Sequence, residues 1–310
     1  MPKASLKPED FIVPLNMNGL EGRMLRLPAL EGNKREILFL FGQHSTIERW
    51  WGLALELNKL GAVTMPDLPG LGGMTPLYKI GQQPTFDNMA DYLAAFVKLK
   101  FRNKKVTIFA MSQSFAIVTR MLQKYPELTK KVDILASVVG LVHKDDLKFS
   151  RHTIFIYKTA SRILSRKWPA RIFRYTALQP FVLKIVYHRT QYAREKFEEM
   201  SGDEFKRTMD MEVTLWHQND IRTQFKHYLE LFSLDLTGTR VDLPVLHVAT
   251  KRDRYFNNVK VEEHMRRVYS DVEVFFSKAP NHAPTVIATA SDAAPFIPHP
   301  LRRRIQGKMK

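Results

Sequence analysis

The sequence predicts an α/β fold in which a mostly parallel central sheet carries helices on both faces. Strand-like runs alternate with helical periods through residue 141 and again after residue 237, which is the pattern of βαβ units. Residues 142–236 instead predict helices with no strands between them. A third observation is the segment 104–126, where a strand turns directly into a helix at a serine. At 310 residues the chain has room for one large core with an insertion.

Residues 11–41 contain three strand-like runs separated by turns. Asparagine and glycine supply the turn signals at residues 16–19 and 31–33. The third run is continuously apolar from residue 37 to 41, as expected for a strand covered on both faces. The three runs are FIVPL, GRMLRLPAL and REILFLF.

A helix follows the third run. After Gly42 the apolar residues take a helical spacing, with Ser45 or Thr46 in the position of an N-cap. Gly61 is the matching stop signal, so we expect the helix to end there.

Another strand, residues 62–66, leads into the loop 67–72, which reads Asp-Leu-Pro-Gly-Leu-Gly. Its glycines would suit a phosphate loop, but no Lys-Ser or Lys-Thr pair follows, so we exclude that class of site. From residue 85 to 100 a helical period carries the chain to the next strand.

That strand opens the segment KKVTIFAMSQSFAIVTRMLQKYP, residues 104–126, around which the predicted site is organised. Residues 106–109 form an apolar strand run, and a helical apolar period begins a few residues later. Ser112 lies between them, with the small residues Ala110 and Ser114 two positions away on either side. A sharp turn from strand to helix needs small flanking residues. Such a turn projects the serine hydroxyl and points the helix N-terminus at charge that develops beside it.

This strand–serine–helix turn resembles the nucleophile elbow of the α/β-hydrolase family. The family's usual motif is Gly-x-Ser-x-Gly, and Ala-Met-Ser-Gln-Ser stands in its place at residues 110–114. A second frame, residues 112–116, would make Ser114 the nucleophile. We prefer Ser112 because the strand before it has the family's length and the helix after it runs to Pro126 at a similar spacing.

The resemblance implies an oxyanion site made of two backbone N–H groups. The family takes one donor from the segment after the third strand and the other from the residue after the nucleophile. Those positions are Gln43 and Gln113 in this sequence. The family's usual His-Gly pair before the first donor appears here as Phe41-Gly42. Two such donors would stabilise a tetrahedral intermediate by a few kcal/mol.

The resemblance also implies an acid and a base late in the chain. Asp253 follows the strand run 241–249, where the family places the acid that orients the imidazole. His282 lies in a loop after the last strand and is followed by Ala-Pro, as the family's general base is. The order Ser112, Asp253, His282 is the family's order. Three candidates are set aside, two acids that precede strands and a histidine expected to line the pocket: Asp242, Asp271 and His44.

Residues 142–236 occupy the place where the family carries a cap or lid, and their charge pattern is unusual. Between residues 147 and 194 there are eleven Lys or Arg and no Asp or Glu. One predicted helix has a basic face and an apolar face. This pattern is typical of a helix at a membrane interface. It is also typical of the cap of a soluble hydrolase, in which the charged face is turned to water. The basic face carries Lys158, Arg162 and Arg166, and the apolar face carries Ile156, Ala160, Ile163 and Leu164.

The composition favours an anionic partner. The chain has 48 Lys and Arg against 31 Asp and Glu, a formal net charge of +17, which suits a membrane surface, a nucleic acid or high solubility. Nucleic acid is the less favoured partner because no nucleic-acid-binding motif is recognisable. The C-terminal cations that could assist are Arg302, Arg303, Arg304, Lys308 and Lys310.

Compartment and cofactors follow from what the sequence lacks. Cysteine is absent, which excludes disulfides and thiolate metal sites. The N-terminal residues have no apolar signal core, and no apolar run approaches a membrane span, so we expect a cytoplasmic protein, with peripheral attachment to the membrane as the open alternative.

The resemblance implies a serine hydrolase that cleaves carboxylic esters through an acyl-enzyme and needs no metal or organic cofactor. A serine nucleophile argues against haloalkane and epoxide chemistry, which the family performs with aspartate. The basic, aromatic insertion favours an apolar or lipid-like acyl chain. The alternatives are a carbon–carbon hydrolase, a thioesterase, or a hydrolase-fold protein that binds without turnover. We expect a core of residues 1–141 and 237–310, with a basic C-terminal tail, and a cap of residues 142–236.

Overall fold

The computed structural model describes residues 6–189, 202–279, 282 and 289–307. Their strands are β1 (Ile12–Met17), β2 (Leu20–Leu27), β3 (Glu36–Leu40), β4 (Ala62–Pro66), β5 (Val106–Met111), β6 (Val132–Val138), β7 (Val241–Thr250) and β8 (Tyr269–Ser277). They form one sheet in the order β1-β2-β4-β3-β5-β6-β7-β8. Pairing is antiparallel at β1-β2 and β2-β4 and parallel from β4 to β8, which confirms the predicted mostly parallel sheet.

Helices pack on this sheet and fill its connections. Every residue of the central strand β5 is buried, as its continuous apolar run requires. The helices are α1 (Trp51–Asn58), α2 (Phe86–Lys100), α3 (Gln113–Lys124), α4 (Arg151–Leu164), α5 (Lys167–Thr176), α6 (Pro180–Arg189), α7 (Gly202–Gln218), α8 (Ile221–Leu231), α9 (Asn258–Val268), α10 (Ala290–Ala293) and α11 (His299–Gly307). None of these described helices is long and apolar enough to cross a membrane.

The prediction for the first helix is wrong at both ends. A short 3-10 turn, Glu48–Trp50, precedes α1, which begins at Trp51 and ends at Asn58. Ser45 does not cap the helix because α1 begins only at Trp51, too far along the chain for the Ser45 side chain to reach its first N–H groups. The Ser45 hydroxyl oxygen instead accepts a hydrogen bond from the Trp50 indole N–H at 2.5 Å. Thr46 also lies outside the helix, and Gly61 follows its end by three residues.

The interval between β6 and β7 is helical in the part that the structure describes, with helices α4 to α8. A second cluster of buried apolar side chains, separate from the core of the sheet, holds these helices together. Its fully buried members are Ala170, Leu178, Leu183, Ile221 and Phe225. The division at residues 142 and 236 remains a prediction.

The predicted basic face of the first helix in this insertion is only partly present. Helix α4 ends at Leu164, and Arg166 is the N-cap of α5, so Arg166 does not continue the row of Lys158 and Arg162. The apolar face is not buried either, since Ile156 and Ile163 are 52% and 51% exposed.

The basic C-terminal segment is a packed helix, rather than a tail, as far as residue 307. Leu301 and Ile305, one turn apart on α11, are fully buried and hold the helix to the core. Arg302 pairs with Glu56, and the Arg304 guanidinium lies 2.9 Å from the Glu273 carboxylate. Lys308 and Lys310 lie outside the described residues.

Candidate active site

Ser112 occupies the turn between β5 and α3 by itself. Its φ of 50° and ψ of −123° lie outside the regions that a residue with a side chain normally adopts. The Ser112 N–H donates to the carbonyl oxygen of Val138 at 2.9 Å, which ties the turn to the end of the neighbouring strand β6. Strained backbone held by the surrounding structure is concentrated at functional sites. The local geometry is therefore that of the predicted elbow.

Ser114, the alternative nucleophile, is occupied elsewhere. Its side chain is buried, and its hydroxyl donates to the carbonyl oxygen of Phe41 at the end of β3. This bond ties the first turn of α3 to the end of β3, just before Gln43. The geometry supports the frame centred on Ser112.

The structure brings Ser112, His282 and Asp253 together although they are far apart in the sequence. The His282 Nε2 atom lies 3.3 Å from the Ser112 Oγ, and His282 Nδ1 lies 2.6 Å from Asp253 Oδ2. A serine–histidine distance at the long end of the hydrogen-bond range is common in the absence of substrate. The Ala-Pro that follows His282 in the sequence lies outside the described residues.

The Asp253 carboxylate is held on both oxygens. Its Oδ1 accepts from the backbone N–H groups of Tyr255 at 2.8 Å and Phe256 at 3.0 Å, which leaves Oδ2 for His282. Burial by itself would raise the pKa of this carboxyl, but the hydrogen bond and charge of His282 and the two N–H donors outweigh it. The net result is a pKa below the usual range, so the carboxylate is ionised at neutral pH. Asp242 and Asp271, set aside on sequence grounds, lie in β7 and β8 near the strand beginnings.

Gln43 and Gln113 follow Gly42 and Ser112, on two segments that touch. A Cβ built on Gly42 would lie 3.2 Å from the Ser112 Cβ and 3.5 Å from the carbonyl oxygen of Met111. A side chain at this position would therefore crowd the Ser112 Cβ, which glycine avoids. Among the described residues, the backbone N–H groups of Gln43 and Gln113 donate no hydrogen bond, which leaves them free for a ligand.

Sequence reasoning missed the polar side chains that α8 contributes beside these donors. The Gln113 Nε2 atom lies 2.7 Å from His227 Nδ1, and the Gln43 side-chain amide donates to the backbone carbonyl of Gln224 at 2.9 Å. The Gln224 Oε1 lies 3.1 Å from His44 Nδ1. A glutamine and a histidine three positions apart on one helix share a face, and that spacing was the available signal.

His44 lines this region, as predicted. Its ring packs on Trp216 with 4.5 Å between centroids, and its Nε2 lies 3.5 Å from a Glu212 carboxylate oxygen. Its φ of 53° places the ring in a strained turn directly after Gln43.

The polar cluster contains buried atoms without a partner among the described residues: Gln113 Oε1, Gln224 Nε2 and His227 Nε2. Burial, with a smaller effect of Lys226, lowers the pKa of His227 to about 3, so the imidazole is neutral. When the Gln113 amide donates to Nδ1, the single ring proton lies on Nε2. The cluster then holds two unpaired donors, Gln224 Nε2 and His227 Nε2, and one unpaired acceptor, Gln113 Oε1. An unpaired buried polar group costs about 1–3 kcal/mol, so a ligand with matching polar atoms would relieve that cost.

Aromatic rings extend from the other side of His282 toward the insertion. The His282 ring packs edge-on against Phe256 and Tyr255, with centroid distances of 4.7 and 5.2 Å. Phe149 lies 6.3 Å from Tyr255 and 6.0 Å from Tyr157 of α4. An aromatic cluster therefore extends from His282 to α4, while polar side chains of α8 contact Gln43 and Gln113.

Comparison with known proteins identifies the fold. No protein-family model and no curated protein sequence matches the chain. Among solved structures, a putative lipase from Acinetobacter baumannii AYE is 15% identical with a TM-score of 0.64, over 96% of this chain and 92% of that one. A thermophilic esterase from Thermogutta terrifontis is 14% identical with a TM-score of 0.62, over 96% and 99%. MGS-M2, an alpha/beta hydrolase enzyme from a Medee basin deep-sea metagenome library, is 11% identical with a TM-score of 0.63, over 96% and 97%.

These similarities span nearly the whole length of each chain, and the sheet order and crossovers agree with them. The chain has the α/β-hydrolase fold. The fold expected from the elbow and from the alternation of strands and helices is confirmed.

Proposed function

We propose that this protein is a serine hydrolase that cleaves carboxylic esters through an acyl-enzyme. One observation carries the proposal: the hydrogen-bonded row from Ser112 through His282 to Asp253, on loops that follow β5, β8 and β7. Loops at the carboxyl ends of parallel strands are where open α/β sheets place their sites. The structures named lipase and esterase add support by analogy of fold.

In the proposed reaction the Ser112 Oγ attacks the ester carbonyl while His282 Nε2 takes the hydroxyl proton. Asp253 stabilises the imidazolium through Nδ1. The N–H groups of Gln43 and Gln113 bind the carbonyl oxygen as it becomes an oxyanion. Collapse of the intermediate expels the alcohol, which receives the proton from His282. Water, activated by the same histidine, then attacks the acyl-enzyme and releases the carboxylic acid.

The aromatic rings beside His282 and the polar side chains of α8 support an ester with an apolar acyl chain and a polar alcohol. The aromatic rings beside His282 suit an acyl chain, because they offer apolar surface without unpaired polar atoms. The donors of Gln224 and His227 suit hydroxyl or phosphate oxygens on the alcohol. Monoacylglycerols and lysophospholipids combine these features.

The first test is covalent labelling by a fluorophosphonate probe in the wild type, Ser112→Ala and Ser114→Ala. We expect labelling to disappear only in Ser112→Ala, because the Ser114 hydroxyl is committed to Phe41. Loss only in Ser114→Ala would instead move the nucleophile by two residues. Absence of labelling from folded wild-type protein would contradict catalysis and favour the hydrolase-fold binding protein.

Substrate profiling then separates the activities that share this site. We expect turnover of p-nitrophenyl esters to rise with acyl length from C2 to at least C8. Equal rates for all chain lengths would refute the apolar acyl preference. Faster turnover of acyl thioesters or of a vinylogous 1,5-diketone would favour the thioesterase or carbon–carbon hydrolase alternative.

A further inference from the structure

Helices α4, α5 and α6 of the insertion present large apolar side chains to solvent. Single exposed apolar residues are ordinary, whereas a series along consecutive helices indicates an interaction surface. Six of them, each more than half exposed, are called the exposed apolar set here. They are Ile156 (52%), Ile163 (51%), Trp168 (67%), Ile172 (63%), Tyr175 (64%) and Phe181 (65%).

On α5 the exposed apolar side chains lie on a different face from the one that packs into the second core. Trp168, Ile172 and Tyr175 are spaced i, i+4, i+7 and share one face of the helix. Phe173 lies on another face and packs inward against the second core at 5.9 Å. The Arg171 guanidinium lies 6.0 Å from the Trp168 ring and 5.9 Å from the Tyr175 ring. The outward face therefore combines apolar side chains, aromatic rings and a cation, which is the composition of an interfacial helix.

Helices α4 and α5 carry charge of one sign. Helices α4 and α5 and the turn between them contain seven Lys or Arg and no Asp or Glu. Beside the exposed apolar set is an open cleft of about 500 Å³, and no acidic side chain lines it among the described residues. Its polar lining includes Tyr78, Arg162, Arg166, Lys167, Arg222 and Lys226. The Arg222 guanidinium is held over the Tyr78 ring at 3.9 Å.

We propose that this face docks on an anionic phospholipid bilayer, with the exposed apolar set at the boundary of headgroups and acyl chains. The cleft, called the basic cleft below, would take a lipid phosphate. Each Lys or Arg near such a surface strengthens binding by about fivefold. The same charge opposes the other obvious occupant, since two copies of this face would bring the cations of α4 and α5 together, and these two helices carry no acid to offset the repulsion.

Helix α8 connects the face to the candidate active site. Arg222 and Lys226 line the basic cleft, while Gln224 and His227 on the same helix reach the residues around Ser112. Docking would therefore bring a lipid surface next to the helix that lines the site. The docking itself does not depend on the proposed activity, and it is measured as binding.

The test is co-sedimentation of the full chain carrying Ser112→Ala with sucrose-loaded vesicles, so that no lipid is consumed. One set is phosphatidylcholine with about 30% phosphatidylglycerol, and the other is phosphatidylcholine alone. We expect binding to the first set only, weakened as ionic strength rises. Trp168 fluorescence reports contact directly, because brominated anionic lipid should quench it, and Trp168→Phe should keep binding but lose that quenching.

Two groups of substitutions test the two components. Arg162→Gln with Arg166→Gln and Lys167→Gln should weaken anionic vesicle binding at least tenfold. Its matched control removes three exposed cations elsewhere, Arg102→Gln, Lys105→Gln and Lys130→Gln, and should change binding less than threefold. The double variant Trp168→Glu with Ile172→Glu should weaken binding by a similar factor. Its control is the double variant Leu99→Glu with Val259→Glu, whose side chains are equally exposed but lie elsewhere. All these side chains are exposed, so we expect folding to be preserved.

Several outcomes would overturn the proposal. The proposal fails when the folded wild type does not sediment with anionic vesicles. It also fails when the control with Arg102, Lys105 and Lys130 replaced loses as much vesicle binding as the variant with Arg162, Arg166 and Lys167 replaced, because that result would indicate an effect of net charge. A dimer in sedimentation velocity that Trp168→Glu with Ile172→Glu dissociates would assign the face to a second copy. Binding of single-stranded RNA that is lost in the Arg162, Arg166 and Lys167 triple variant, in a protein that does not bind vesicles, would assign this face to nucleic acid.

Discussion

The Gln113 side-chain amide and the His227 imidazole are 2.7 Å apart, so the residue that follows Ser112 is held by helix α8 of the insertion. Both side chains are buried, and the histidine is neutral because burial lowers its pKa to about 3. The backbone N–H of Gln113 is one of the two proposed oxyanion donors. The position of that donor therefore depends on a helix from outside the sheet.

Replacing His227 by Phe should reduce turnover by impairing this support. The Gln113 amide would lose its partner while the ring volume is retained, and we expect kcat for an ester substrate to fall about tenfold to a hundredfold. His217→Phe, an exposed histidine on the neighbouring helix α7, is the matched control and should leave kcat unchanged. A rise in KM at constant kcat would instead assign His227 to substrate binding alone.

Gly42→Ala should reduce both activity and stability. The added Cβ would lie 3.2 Å from the Ser112 Cβ, which is tight enough to displace either the serine or the loop that carries Gln43. We expect kcat to fall at least about tenfold and the free energy of unfolding to fall by about 1–3 kcal/mol. Gly238→Ala, where nothing lies within 4 Å, is the control for both urea unfolding and kinetics.

Asp253→Asn should abolish most turnover without preventing folding. The amide can still fill the site, but it no longer stabilises the imidazolium or selects the productive tautomer, and the expected loss in kcat is about 10⁴-fold. Asp242→Asn, an exposed acid on β7, should have no effect. Equal activity of the Asp253 variant and the wild type would remove Asp253 from the proposed mechanism.

The stability contributed by His227 and His247 should decrease as the pH falls below about 6.5, the usual histidine pKa in an unfolded chain. Asp67, whose pKa burial raises to about 8, acts in the opposite direction. Burial lowers the pKa of His227 to about 3 and that of His247 to about 4. Between those values and 6.5 the unfolded chain binds more protons, so acidification favours unfolding.

Each histidine contributes about 1.4 kcal/mol per pH unit in that interval. Urea unfolding of wild type and His247→Asn at pH 7.5, 6, 5 and 4.5 tests this. The variant should show a slope smaller by that amount. An identical slope in the two proteins would mean that His247 is not buried as a neutral ring.

Local sequence patterns were sufficient for the strands, for α2 and for the elbow. Thr85 was expected to begin the helix before the elbow strand, and its hydroxyl accepts from the N–H of Asn88 as an N-cap. Ser112, Asp253 and His282 could be named because each follows a predicted strand. Parallel strands bring their carboxyl ends to one edge, so the chain order of the three residues already implied their proximity.

Where α1 begins could not be predicted from local signals, because a capping signal depends on which partner the side chain finds. Ser45 is a good N-cap by residue type, but its hydroxyl oxygen accepts a hydrogen bond from the Trp50 indole N–H. For Arg166, the break between α4 and α5 separates it from a face that helical spacing alone would have continued.

The sequence by itself therefore determined the class of fold, the serine in its turn, and the aspartate and histidine that lie beside it, because these depend on residues close together or on the order of strands. Only the tertiary structure decided what surrounds Ser112. The contacts of Gln113 with His227 and of Gln43 with Gln224 join positions 114 and 181 residues apart. Such pairs leave no local periodicity, since their partners are chosen by how the insertion packs on the sheet.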